Sequence, residues 1–268
     1  MTTVLKLGGE LLEDSAAVQS AAAAIVRLAA RGPLVVVHGG GRAIDAELRA
    51  RGAQPRFVDG LRITDAQTLD TVVCVLAGRN NTTLVAAIDG AGGRAVGLTG
   101  ADGSVGRSVA AEPMTTVSGE RVDLGLVGQP IARDVSLLSD LTRLGYIPVV
   151  ASIGISAAGE LLNVNADTLA GHLAAALAAD RLIVAGATRG VLGADGETIA
   201  QLTPDDIDRM TASGEAHSGM VAKLAACRQA LAGGVSDIAI VSGRGVADFA
   251  EADGTRIELS ASPSGRAS

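Results

Sequence analysis

The stretch Leu34-Val35-Val36-Val37-His38-Gly39-Gly40-Gly41 decides the fold class. A continuous β-branched run with no polar face predicts a strand buried on both sides, as in a parallel sheet covered by helices. It stops in three glycines, and a helical pattern follows to Gly52. The N-terminus repeats the theme. Val4-Leu5-Lys6-Leu7 reads as a strand ended by Gly8-Gly9, followed by a helix from Ser15 to Arg31 with Asp14 as its N-cap. Working outward, further short apolar runs alternate with helical periodicity. Strands are expected at Arg94–Thr99, Ile147–Ala151, Arg181–Ala185, Asp237–Val241 and Thr255–Leu259. Helices are expected from a Thr64/Gln67 capping box, over Thr82–Ala91, Val135–Leu144 and Ala166–Ala179, from Thr203 with Pro204, and over Ser218–Ala232. Hairpins are expected around Ser118-Gly119-Glu120 and within Ile153–Val164, and the tail from Ser260 reads as frayed. This is an α/β pattern with a mainly parallel sheet, and a lobe boundary falls near Asp180.

Composition narrows the function. The chain has 268 residues and a formal net charge of −7, which argues against a nucleic-acid partner. Tyr146, Phe57 and Phe249 are the only aromatic residues, so base-stacking platforms and aromatic cages are not main themes. Cys74 and Cys227 lie far apart on apolar helical patterns and read as buried free thiols. His38, His172 and His217 form no ligand motif, so no metal site is expected. The N-terminus lacks a basic region followed by an apolar core. The uncharged stretch Leu144–Gly159 is broken by Pro148 and three glycines. Neither feature points to a membrane, and the expectation is a soluble cytoplasmic protein.

Of the 22 basic residues only Lys6 and Lys223 are lysine. A surface charge tolerates exchange between Lys and Arg. A compact ammonium set against a reacting atom need not, because the guanidinium is a wide planar fork. Lys6 sits at the end of the first strand, and Lys223 lies in the first turns of a helix begun by Ser218-Gly219-Met220. A lysine near a helix N-terminus is poorly placed unless an anion shares the site. The two glycine turns at strand ends suit such an anion, since backbone N–H groups can approach it there. The same glycines would also serve simply as tight turns. Neither a G-x-G-x-x-G fingerprint nor a Walker A loop fits, because Ile44 and Met220-Val221 break the two patterns.

Two further groups stand out. In Asn163-Val164-Asn165-Ala166-Asp167, Asn165 reads as an N-cap and Asp167 suits the first helical turn, whereas Asn163 has no capping role. Asp167 could also hold two ammonium groups in place. In Gly60-Leu61-Arg62-Ile63-Thr64, Arg62 could clamp a carboxylate bidentately.

Together, Lys6-Leu7-Gly8-Gly9, His38-Gly39-Gly40-Gly41, Gly60-Leu61-Arg62-Ile63-Thr64, Ser152-Ile153-Gly154, Asn163-Val164-Asn165-Ala166-Asp167 and Ser218-Gly219-Met220 with Lys223 resemble the amino acid kinase family, in order and over nearly the whole length. The resemblance implies a three-layer α/β/α sandwich around a mainly parallel central sheet. It implies ATP-dependent phosphorylation of the side-chain carboxylate of N-acetyl-L-glutamate to N-acetyl-L-glutamyl 5-phosphate, in arginine biosynthesis. By motif, Lys6 and Lys223 would stabilise the transferring phosphoryl group, with Asp167 organising them. Gly40, Gly41, Arg62 and Asn163 would bind the acyl amino acid. Gly8, Gly9, Thr188, Gly190, Ser218, Gly219 and Met220 would bind ATP, and Mg²⁺ would travel with the nucleotide. Residues 1–180 would form the acyl amino acid and dimerisation lobe, and residues 181–268 the nucleotide lobe. The alternatives are a kinase for N-succinylglutamate or an α-aminoadipate derivative, or a degenerate ligand-binding regulator.

Two departures from the family pattern are visible. Ala185-Gly186-Ala187-Thr188-Arg189-Gly190 stands where members usually carry Ser/Thr-Asp-Val-x-Gly, so an acid is missing. The first strand also begins close to Met1, without the N-terminal helix by which arginine-inhibited members build hexamers. The expectation is a homodimer that arginine does not inhibit.

Overall fold

The computed structural model describes residues 1–116, 119–131, 134–193, 195–216 and 218–259, with the Ser218 side chain set aside. The expected turn residue Ser118, the tail from Ser260, and His217 lie outside these residues.

The chain opens with β1 (Thr3–Leu7), α1 (Ser15–Ala29), β2 (Leu34–His38) and α2 (Gly41–Ala50). A small ribbon follows, β3 (Phe57–Val58) and β4 (Leu61–Arg62), and then α3 (Ala66–Val73), α4 (Asn81–Gly90) and β5 (Ala95–Thr99). A region of short strands comprises β6 (Ser108–Ala110), β7 (Met114–Thr115), β8 (Arg121–Val122) and β9 (Val127–Pro130). Next come α5 (Ser136–Arg143), β10 (Ile147–Ala151), β11 (Ile153–Ile155), β12 (Leu161–Val164), α6 (Ala166–Ala176) and β13 (Arg181–Gly186). The last elements are β14 (Gln201–Leu202), α7 (Pro204–Ser213), α8 (Ser218–Ala232), β15 (Asp237–Ser242) and β16 (Gly254–Ile257).

Eight strands make the central sheet, in the order β14-β16-β15-β13-β1-β2-β10-β5. The six from β15 to β5 run parallel, and β16 pairs antiparallel with β15. Side chains alternate across a strand, so each strand feeds two cores. Val4, Val37, Val150, Val184 and Ile240 pack on one face with Leu169 and Leu173 of α6 and Leu224 of α8. Leu5, Val36, Val149, Ile183 and Val241 pack on the other with Ile25 of α1 and Leu84 and Ile88 of α4. The helices therefore cover both faces, as the sequence predicts. Lys6 has the parity of Val4, which sends its side chain to the α6/α8 face.

Three local readings change. The N-cap of α3 is Asp65, whose carboxylate accepts the Thr68 N–H at 2.8 Å, rather than Thr64. Thr64 is fully buried and pairs with Gly125. α3 and α4 are not separate helices, because a π-helical stretch, Cys74–Asn80, joins them. The run Ala66–Gly90 is the one helix among the described residues long and apolar enough to cross a membrane. Half of its most apolar window is buried inside the fold, where Leu84 and Ile88 contribute to the core. Cys227 is buried as expected, but Cys74 is exposed. Cys74 falls between the buried Val72 and Val75, on the side of the helix turned away from the core.

α6 and α8 pack closely at Gly171, where a Cβ would stand 2.5 Å from the Ala226 carbonyl oxygen. Both helices lead into parallel strands, so they run side by side with their N-termini at the same sheet edge. Gly171→Ala should force the helices apart and destabilise the protein by about 1–3 kcal/mol, read as a lower urea midpoint.

Candidate active site

The ends of β1 and β2 meet backbone to backbone. A Cβ on Gly9 would lie 2.6 Å from Gly40 Cα, so the two glycine turns are in contact. Neither Gly9 nor Gly40 has a positive φ, so close approach and not left-handed backbone accounts for them. Gly41, at the first position of α2, has no atom within 4 Å of a Cβ position, which leaves its surface open.

His38 anchors this corner from below. It is fully buried, its Nδ1–H donates to the Gly39 carbonyl at 3.2 Å, and its Nε2 accepts from Asn81 Nδ2 at 3.0 Å. Asn81 also donates to the Val149 carbonyl at 2.8 Å, so β2, α4 and β10 are tied together. The imidazole is neutral in this network, because a proton on Nε2 would face the Asn81 amide donor.

A cleft of about 240 Å³ opens above the corner. Lys6, Gly9, Gly40, Gly41, Arg62, Asn163 and Asp167 all line it, from different elements and turns. Lys6 Nζ pairs with Asp167 Oδ1 at 2.8 Å, with the side chains 6% and 9% exposed. Asn165 caps α6 by accepting the Asp167 and Thr168 N–H groups, which fixes the turn carrying Asp167. Arg62 is buried, stacks over the Phe57 ring at 4.6 Å, and gives Nη2 to Asp45 at 2.7 Å and to the Gly41 carbonyl at 3.2 Å. Its Nη1 is buried without a hydrogen-bond partner. A two-nitrogen clamp on a ligand therefore does not match the observed geometry: Nη2 is taken and Nη1 is the group left to give. Asn163 Nδ2 donates to the Thr64 hydroxyl at 3.0 Å, and that hydroxyl donates to the Arg62 carbonyl at 3.2 Å.

A second cleft, about 370 Å³, lies between the turn after β13 and the start of α8. Thr188, Gly190, Gly219, Met220 and Lys223 line it. Ser218 opens the same helix. Lys223 belongs to the same electrostatic neighbourhood as the first cleft. Burial pushes the Cys227 thiol far up, and the charges of Asp167, Lys223 and Lys6 all act on it. Gly8 lines neither cleft, because the Glu10 carboxylate fills the space beside its Cα.

Several site residues escape sequence reasoning. Thr64 reads from sequence only as part of a capping box, Asp45 belongs to no motif, and Asn81 falls just before the helix expected from Thr82. Glu10 is the most consequential. Its Oε1 accepts the Ala187 N–H at 3.0 Å, at the turn where the family pattern would have its acid. Its position directly after Gly8-Gly9 was the available signal. A larger cleft, about 750 Å³, is lined by Arg189, Ser242, Arg244 and Asp253 among others, and contains none of the expected site residues.

With this geometry in hand, similarity to known proteins is informative. Residues 1–242 match the amino acid kinase family. The acetylglutamate kinase of Zymomonas mobilis is 42% identical over 246 residues, covering 90% of this chain and 82% of that protein. The acetylglutamate kinase of Rhizorhabdus wittichii is 43% identical over 251 residues, covering 91% and 82%. The solved structure of smu.665 from Streptococcus mutans superposes with a TM-score of 0.80 at 26% identity, covering 97% of this chain and 99% of that one. The chain belongs to the amino acid kinase family.

The buried imidazole gives the corner a pH signature. Desolvation lowers the His38 pKa from 6.5 to about 4. The folded state refuses a proton that the unfolded chain takes up, so stability is intact above pH 6.5 and lost as pH falls towards 4. The slope should approach about 1.4 kcal/mol per pH unit. His38→Gln should flatten it in urea titrations at stepped pH. A smaller slope should remain from His172, whose pKa burial also lowers. Asp206, held down to about 2 chiefly by Thr203, titrates below the window.

Proposed function

We propose that the protein transfers the γ-phosphoryl group of ATP to the side-chain carboxylate of N-acetyl-L-glutamate, giving ADP and N-acetyl-L-glutamyl 5-phosphate. The observation that carries this reading is the buried Lys6–Asp167 pair standing where the two clefts approach each other. The acetylglutamate kinases to which the chain is more than 40% similar in sequence identity support the choice of substrate. The reaction belongs to arginine biosynthesis.

In this reading the acyl amino acid enters the smaller cleft, and ATP enters the cleft between Thr188 and Lys223. Arg62 Nη1 and the Asn163 amide meet the acyl amino acid, with Gly40 and Gly41 offering open backbone. Gly219 and Met220, with Ser218, Thr188 and Gly190, border the nucleotide. The lobe division at residue 180 follows the same line: all first-cleft residues precede it, and all second-cleft residues except Glu10 follow it. The chain is read as a homodimer, which sedimentation would show. A cytoplasmic location accords with a biosynthetic kinase of small molecules.

A carboxylate nucleophile is already ionised at neutral pH, so no general base is needed. One carboxylate oxygen attacks the γ-phosphorus, the bond to the β–γ bridging oxygen breaks, and that oxygen leaves with ADP. Protein catalysis then consists of positioning and stabilising charge. Lys6 spends part of its hydrogen-bonding capacity on Asp167, which locks the ammonium in a water-poor site where its charge counts for more. Lys223 approaches from the nucleotide side. Among the described residues there is no cluster of three or more His, Cys, Asp or Glu able to hold a metal ion. This donor set fits a Mg²⁺ held mainly by nucleotide phosphates, with Glu10 as the protein carboxylate nearest both clefts. When bound, the ion neutralises phosphate charge.

A hydroxamate assay with N-acetyl-L-glutamate and MgATP tests the activity, and a panel of acyl amino acids tests the N-succinylglutamate and α-aminoadipate alternatives. Lys6→Arg and Lys223→Arg should each lower kcat roughly 10²–10³-fold while the protein stays folded. Lys6→Ala strands Asp167 as a buried charge and should also cost about 3–5 kcal/mol of stability. Unchanged turnover in both arginine variants would remove the two lysines from the mechanism.

A further inference from the structure

Glu10 is the one side chain that lines both clefts among the described residues. It follows β1 directly, and three observations fix its carboxylate. Oε1 accepts the Ala187 N–H at 3.0 Å. A Cβ on Gly8 would lie only 2.4–2.5 Å from its carboxylate atoms. A Cβ on Gly186 would lie 3.2 Å from Glu10 Oε1 and 3.5 Å from Lys223 Cε, so carboxylate and lysine flank the same point. A negative charge is thus built into the junction between the ends of β1 and β13, against two glycines that leave it room.

This is a poor place for an acid if its only task is to admit phosphates. A single accepted N–H could equally be met by a neutral amide or hydroxyl, so the hydrogen bond to Ala187 does not by itself explain the charge. Bare nucleotide phosphates brought beside the carboxylate would be repelled. A divalent ion on the phosphates reverses the sign. Mg²⁺ keeps several of its waters, and those waters are donors that a nearby carboxylate can accept from.

We propose that Glu10 makes nucleotide binding conditional on a divalent cation, excluding metal-free nucleotide and accepting its Mg²⁺ complex. The proposal rests on the reading that the Thr188–Lys223 cleft takes the nucleotide. It assigns Glu10 a selecting role that neither lysine can have, since both attract either form of the ligand. Glu10 does not act as acid, base or nucleophile.

The test is calorimetric titration of the full chain with ADP, in excess Mg²⁺ and in EDTA. Wild type should bind MgADP about tenfold or more tightly than metal-free ADP. Glu10→Gln keeps the shape and the acceptor for Ala187 but removes the charge. It should close most of that gap, with metal-free ADP gaining affinity. Glu10→Ser, smaller and also neutral, should move in the same direction, and thermal unfolding checks that each variant is folded. A gap that persists in both variants overturns the proposal while leaving the nucleotide cleft intact. Equal loss of both forms in the variants also overturns it, since Glu10 would then serve only Ala187. Absence of ADP binding to wild type in either condition overturns both the proposal and the assignment of the cleft.

Discussion

The ion pair between Lys6 and Asp167 is the constraint around which the rest of the site is arranged. An ammonium and a carboxylate held largely out of water are expensive to desolvate, and each survives only because the other is there. Meeting that condition requires β1 to end at the right depth, α6 to begin opposite it, and the sheet parity to send Lys6 towards α6. The Asn165 cap fixes the α6 turn, and the Gly171 contact with Ala226 draws α8 close enough for Lys223 to share the neighbourhood. If any of these gives way, a buried charge is stranded.

A second theme is how few side chains with unusual chemistry the site uses. No histidine, thiol or carboxylate dyad takes part in the proposed transfer. His38 is present but neutral and structural, bonded between Gly39 and Asn81. The work falls to fixed positive charges, open backbone at Gly41, and one arginine nitrogen left without a partner. This is what phosphoryl transfer to an already ionised acceptor asks for.

Much of the fold was legible because parallel sheets write themselves plainly. Strands buried on both faces are short apolar runs, and glycine turns and Asp, Asn or Thr caps mark where each element ends. Asp14, Asn165 and Thr203 all cap the helices expected of them. The misreadings have a common origin. Thr64 was judged by local pattern, and its role is set by distant chain, through Asn163 across 99 residues. Glu10 was passed over because its partner, the Ala187 N–H, is a backbone group that no sequence pattern displays.

The sequence by itself determined the α/β class, the order of its elements, and the scarcity that singled out Lys6 and Lys223 among 22 basic residues. Those are properties of composition and local periodicity, which act over a few residues at a time. Only the tertiary structure decided that Lys6 pairs with Asp167, that Arg62 already gives one nitrogen to Asp45, and that Glu10 stands between the clefts. Each of those facts depends on which strand ends lie side by side, and that is fixed by the burial of both sheet faces at once rather than by any single stretch of chain.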